Sequence, residues 1–204
     1  MEWYELLLSW YRLNKRRFPW RETRDWYKCL VAEFLLVRTR SETVNKVYRD
    51  FLERFSTPQE LCRASEEEIL VFFKRLGLLN RAYRLKQTVC TIVYNGVFPC
   101  SYTELTKLPG IGDYVARVLL TRVCSDPQPF VDSNVLRVMS RFLGLDKVSK
   151  ERVCEWIERS VPKDMLEEVN LALLDLAATV CKPRNPRCFQ CPLQTMCMSA
   201  KKKV

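Results

Sequence analysis

Leu108-Pro109-Gly110-Ile111-Gly112 stands between a short helical stretch and a longer one, and its reading decides the fold. Two glycines one residue apart let the chain turn tightly from helix to helix. The backbone N–H groups that open the next helix then face outward and can hold a phosphate. An ordinary helix–helix connection without a ligand gives the same local pattern.

Helical spacing extends outward from this turn in both directions. Residues 2–13 place Trp3, Leu6, Leu7, Trp10 and Leu13 on one stripe, at steps of three and four. Residues 26–37 read as an almost wholly apolar helix, and further helices are predicted near 41–54, 66–74, 78–95, 112–123, 134–143, 150–160 and 164–180. Breaks are placed at Pro19, Pro58, Pro99, Pro109, Pro127, Pro129 and Pro162. With only five glycines and little strict alternation, the chain reads as all-α.

Lys and Arg number 34 against 24 Asp and Glu, a formal net charge of +10. That balance favours a polyanionic partner through counterion release, although basic proteins of other function share it. No histidine is present. This excludes a Ser-His-Asp triad and histidine-containing zinc sites, leaving carboxylates, Tyr, Lys or a metal to do any chemistry. No apolar, charge-free run approaches the roughly 18 residues of a membrane span, and the N-terminus does not have the order of a secretory signal. An intracellular protein of the cytoplasm or nucleoid, without a membrane partner, is the expectation.

The ten cysteines divide into two groups. Cys29, Cys62, Cys90, Cys100, Cys124 and Cys154 lie in apolar surroundings and read as small buried hydrophobes. A disulfide scaffold is not expected. The other four form Cys181-x6-Cys188-x2-Cys191-x5-Cys197, with Pro183, Pro186 and Pro192 restricting the loops. Four thiolates within 17 residues suit a four-cysteine zinc site or an iron–sulfur cluster. Lys182, Arg184 and Arg187 in the same loop could meet phosphate.

Twenty residues after Gly112 comes Val131-Asp132-Ser133-Asn134-Val135-Leu136-Arg137. Asp132 has the position of a helix N-cap. Beside a phosphate-gripping hairpin it gains a second reading. A carboxylate near the sugar can stabilise positive charge developing at C1′ and guide water. Asn134 and Arg137 could orient it or touch the backbone.

Taken together, LPGIG, VDSNVLRV and the C-x6-C-x2-C-x5-C tail resemble the helix-hairpin-helix DNA glycosylases that carry a 4Fe–4S cluster, the group of endonuclease III and the adenine mismatch enzymes. The resemblance runs from FPWRETRDWY at 18–27 to Cys197 and is strongest to the archaeal thymine/uracil mismatch branch. It implies a six-helix barrel over 24–126 carrying the hairpin at 108–112, and a discontinuous helical domain of 1–23 with 127–204. It places the catalytic aspartate at Asp132 and the base pocket between the two domains. The cluster falls to Cys181, Cys188, Cys191 and Cys197, and Leu108, Gly110, Ile111 and Gly112 to DNA, and the molecule is expected to act as a monomer on double-stranded DNA with a mismatched or damaged base.

Variable positions refine the expectation. Lyase members carry Lys where this chain has Tyr114, and Tyr forms no Schiff base. Tyr114 resembles the thymine/uracil branch and implies hydrolysis without strand cleavage, although Lys107 could support weak lyase chemistry and Tyr114 could simply pack. Glu33 stands alone in the run Cys29–Val37, where burial would raise its pKa. In AEFLLVRT it matches the glutamate with which adenine enzymes protonate the purine, and a structural ion pair is the alternative. Arg38 and Leu78 fall at the family's wedge positions, and Arg38 could read an orphaned guanine. GLLNRA is closer to the thymine branch than to the adenine one. The sequence ends seven residues after Cys197, where adenine enzymes usually continue into an 8-oxoguanine-reading domain. Thymine or uracil opposite guanine is therefore the expected target. An adenine glycosylase, a bifunctional pyrimidine-damage lyase and a non-catalytic DNA-binding protein are the alternatives.

Overall fold

The computed structural model describes residues 1–37 and 39–201. Its helices are α1 (Trp3–Asn14), α2 (Trp26–Leu35), α3 (Ser41–Arg54), α4 (Pro58–Arg63), α5 (Glu66–Lys74), α6 (Leu79–Asn95), α7 (Tyr102–Leu105), α8 (Asp113–Arg122), α9 (Ser133–Leu143), α10 (Lys150–Ser160), α11 (Leu166–Thr179) and α12 (Met198–Lys201). No strand occurs among the described residues, so the all-α expectation holds. Nor is any described helix long and apolar enough to cross a membrane.

Short polar side chains set many of the starts. Asp25, Ser65, Ser101 and Ser149 each accept a hydrogen bond from a backbone N–H in the first turn that follows. Each thereby satisfies a donor that a helix start leaves without an internal partner. Pro58, read above as a break, instead opens α4. Thr57 and Glu60 form a capping box around it, and proline is suited to the first helical position because its missing N–H would go unused there.

The chain divides into two compact units, Met1–Arg16 with Pro127–Val204, and Arg17–Asp126. In the first, α1 lies on α11, and α9 packs with α10, α11 and α12. The buried residues of α1 are Trp3, Leu7, Leu8 and Tyr11, whereas Leu13 is 87% exposed. The predicted stripe thus stood partly round the helix from the true one, which follows steps of four along α11. Asp175, fully buried on α11, accepts from the Arg16 backbone N–H at 2.8 Å and from its Nε at 2.7 Å.

In the second unit α2 touches α3, α6 and α8, and α6 carries α4 and α5. Residues 17–23 belong here rather than with the N-terminal helix. Phe18 stacks on Trp20 at 4.7 Å, Trp20 meets Tyr48 edge-on at 5.3 Å, and all three lie in this unit's core.

The cysteine expectation needs correction. Cys62 is bonded to Cys90, and Cys100 to Cys124, while Cys29 and Cys154 are buried and take part in no disulfide. The first bond ties α4 to α6. The second joins a residue two positions before α7 to one two positions past the end of α8, and so encloses the whole hairpin in one covalent loop.

Candidate active site

The hairpin is built by three local choices. The N–H of Ile111 donates to the Leu108 carbonyl at 3.2 Å, closing the turn. Gly110 takes φ +85°, a left-handed conformation that costs other residues about 1–2 kcal/mol. Gly112 then serves as the N-cap of α8 without any side chain to occupy the first N–H groups. From below, the buried Thr88 hydroxyl donates to the Pro109 carbonyl at 2.6 Å. Ile111 is buried, Leu108 is half-buried and Gly112 is exposed.

Gly110 also has no room for a side chain. A Cβ there would stand 2.9 Å from two ring carbons of Phe34 and 3.2 Å from the Arg84 Cβ. Phe34 is fully buried, so it cannot step aside. Gly110→Ala should therefore destabilise the unit by roughly 2–4 kcal/mol, adding backbone strain to overpacking. Chemical denaturation checks this, and a loss below about 0.5 kcal/mol would be within ordinary surface substitution and contradict it.

Phe34 borders a second group of residues. Glu33, on α2, is 9% exposed. The Arg81 guanidinium of α6 lies over the Phe34 ring at 5.5 Å from its centroid. Burial, followed by the like charge of Arg84, lowers the Arg81 pKa, and the Glu33 carboxylate opposes both. Tyr114, near the start of α8, is half-buried and packs against the same core. Leu78 is half-buried and packs there too, while its neighbour Leu79 is 45% exposed. Arg38 lies outside the described residues. The sequence reading did not single out Arg81. For Arg81 the available signal was the face formed by Arg81, Arg84 and Thr88 at steps of three and four.

Asp132 is held by a polar network within the first unit. It is the N-cap of α9, and its Oδ1 accepts from the backbone N–H groups of Asn134 at 2.9 Å and Val135 at 2.7 Å. Its Oδ2 accepts from the Asn134 amide at 2.8 Å. The Asn134 Oδ1 in turn accepts from Arg137 Nη1 at 3.0 Å. Arg137 also donates to the carbonyls of Cys181 and Ala177, both at 3.1 Å. Upstream, the buried Asn170 fixes the approach by donating to the Gln128 carbonyl and accepting from the Phe130 N–H. The carboxylate thus has one orientation, set from both sides.

Cys181, Cys188, Cys191 and Cys197 are all free thiols of intermediate exposure. Burial pushes the Cys191 thiol up to about 11, a backbone N–H lowers it, and the other three thiols of the set raise it further. The other three therefore lie within electrostatic reach of Cys191. Arg141 braces the locus, with Nη1 3.5 Å from the Cys181 sulfur and a backbone carbonyl that accepts from the Cys197 thiol at 3.4 Å. Among the described residues no three His, Cys, Asp or Glu side chains are grouped closely enough to hold a metal ion. The donor chemistry fits a four-thiolate group, because these four thiols are unbridged and share one loop.

Residues 31–163 match the HhH-GPD superfamily of base excision DNA repair proteins. The chain belongs to the HhH-GPD superfamily. Within it, the chain is 38% identical to the thymine-DNA glycosylase of Aeropyrum pernix, covering 94% of this chain and 91% of that one. It is 36% identical to the thymine/uracil-DNA glycosylase of Pyrobaculum aerophilum, covering 93% and 87%. The solved structure of a thermostable thymine-DNA glycosylase superposes with a TM-score of 0.89 at 30% identity, over 98% of this chain and 95% of that chain. The helix-hairpin-helix glycosylase fold expected from LPGIG and VDSN is thus the fold of this superfamily member.

Proposed function

We propose that this protein is a monofunctional DNA glycosylase that hydrolyses the N-glycosidic bond of thymine or uracil mispaired with guanine. The observation that carries the substrate is the kinship just described, with relatives named for thymine and uracil that match nearly end to end. The geometry supports the chemistry. The uncapped N–H groups of α8 suit a DNA phosphate, and the net charge of +10 favours the same partner. The target nucleotide is flipped from the stack.

Asp132 acts at the sugar. As the C1′–N1 bond lengthens, positive charge grows at C1′, and a carboxylate of fixed orientation stabilises it without reorganising. It also guides the water that adds to C1′. Tyr114 supplies no amine, so no Schiff base forms and the strand stays intact. Glu33 and Tyr114 bear on the base, and Leu78 and Arg38 on the gap it leaves.

Cys181, Cys188, Cys191 and Cys197 would hold a 4Fe–4S cluster. When bound, the cluster cross-links a loop bearing Lys182, Arg184 and Arg187, and its chemistry in this role is structural. Arg137, on α9, donates both to the Cys181 carbonyl of that loop and to Asn134, the partner of Asp132, so one side chain steadies both.

Single-turnover assays on duplexes carrying G·T, G·U, A·8-oxoguanine or thymine glycol test the reading. Pyrimidine release from G·T or G·U is expected, with strand breaks only after alkali. Adenine release would overturn the substrate assignment, and breaks without alkali would overturn the monofunctional one.

A further inference from the structure

Arg81 has a feature that packing does not explain. Its Nη1 is sealed from solvent and has no hydrogen-bond acceptor among the described residues. A buried donor without a partner is uncommon in folded proteins and calls for a specific cause. Stacking on Phe34 does not supply one, since a ring face accepts no conventional hydrogen bond and methionine or leucine would cover it equally well. The location is informative. Phe34 has the hairpin's Gly110 against it and the Arg81 guanidinium over its ring. Glu33 precedes Phe34 in the same helix and acts electrostatically on Arg81. A carboxylate and a guanidinium beside the DNA-gripping turn therefore present an acceptor next to a donor.

We propose that Arg81 is a catalytic and specificity residue, which donates a hydrogen bond to a carbonyl oxygen of the flipped pyrimidine while Glu33 accepts from its N3–H. This rests on the glycosylase reading above. Thymine and uracil carry an N3–H flanked by two carbonyls, the complement of this pair. With Arg81 on O4, cytosine offers an acceptor at N3 and an amino group in place of O4, so it meets both groups with the wrong polarity.

The same contact assists departure. When C1′–N1 breaks, its electron pair passes to N1 and delocalises onto the carbonyl oxygens. The Arg81 guanidinium stabilises that charge without giving up a proton. Water adds its oxygen to C1′ and loses one proton to Asp132, and the released base takes one from solvent at N1.

Single-turnover release of thymine, uracil and 5-fluorouracil opposite guanine tests this with Arg81→Met and Arg81→Lys. The electron-withdrawing fluorine stabilises the departing anion, so 5-fluorouracil needs the donor least. Thymine release by Arg81→Met should fall roughly 10²–10³-fold, the usual loss on removing one such donor, with a distinctly smaller loss for 5-fluorouracil. Arg81→Lys should recover part of the rate, and affinity for a duplex with a baseless abasic analogue should not change. Equal losses for all three bases, or an equal fall in affinity for the baseless duplex, would overturn the proposal alone. If Arg81→Met does not fold, the order of losses across the three bases is read from Arg81→Lys. No pyrimidine release by the unaltered protein would overturn the glycosylase reading and this proposal together.

Discussion

Asp132→Asn should lower the single-turnover rate of base release by roughly 10²–10³-fold while leaving the fold intact. Asparagine caps helices about as well as aspartate, so the bonds from the N–H groups of Asn134 and Val135 survive. What disappears is the negative charge that the proposed mechanism sets against C1′. A secondary strain arises at Oδ2, which now becomes an amide and confronts the donating amide of Asn134. Asn134 cannot turn over to relieve it, because its oxygen is engaged by Arg137. A melting temperature within a few degrees of the unaltered protein, together with the lost rate, separates catalysis from capping. A rate within a fewfold of the unaltered protein would leave capping as the whole role of Asp132.

Breaking both disulfides should cost the protein of order 10–20 °C in melting temperature, since each loop closure contributes roughly 3 kcal/mol and a chain of this length loses a few degrees per kcal/mol. The closures span 28 and 24 residues, long enough for cross-linking to remove much freedom from the unfolded chain. Both lie in the unit Arg17–Asp126, so the effect should concentrate there. Cys62→Ala with Cys90→Ala, and Cys100→Ala with Cys124→Ala, separate the two bonds. Thiol titration of the denatured, unreduced and metal-free protein gives a direct check. The structure expects six reactive thiols, and ten would rule out the pairing.

What the sequence revealed followed from how local each feature is. The hairpin needs only five consecutive residues, so it was legible. Helix positions followed from periodicity, with the exception of the one-turn α12 and of α4, where proline was given its commoner meaning as a breaker and the Thr57–Glu60 box was passed over. The disulfides were not legible, because spacing alone does not specify which cysteines meet. Arg81 was illegible for a related reason. Its unusual state depends on Phe34 and Glu33, which approach it from α2, more than forty positions away in the chain. The twofold reading of Asp132 could not be narrowed by sequence, since an N-cap and an oriented carboxylate call for the same residue in the same place.

The discontinuity of the first unit sets an order of birth. Met1–Arg16 leaves the ribosome ahead of the rest of its own unit, which begins only at Pro127. The 110 residues of the intervening unit must be made in between, which takes roughly 5–20 s at cellular synthesis rates. Throughout that interval the apolar face of Trp3, Leu7, Leu8 and Tyr11 has nothing of its own to cover it. The hairpin unit can fold meanwhile, whereas the N-terminal helix stays open to chaperones until the last third of the chain arrives. The thiols of residues 181–197 are made after the whole hairpin unit, so any cluster is fitted to a molecule whose other half is already made.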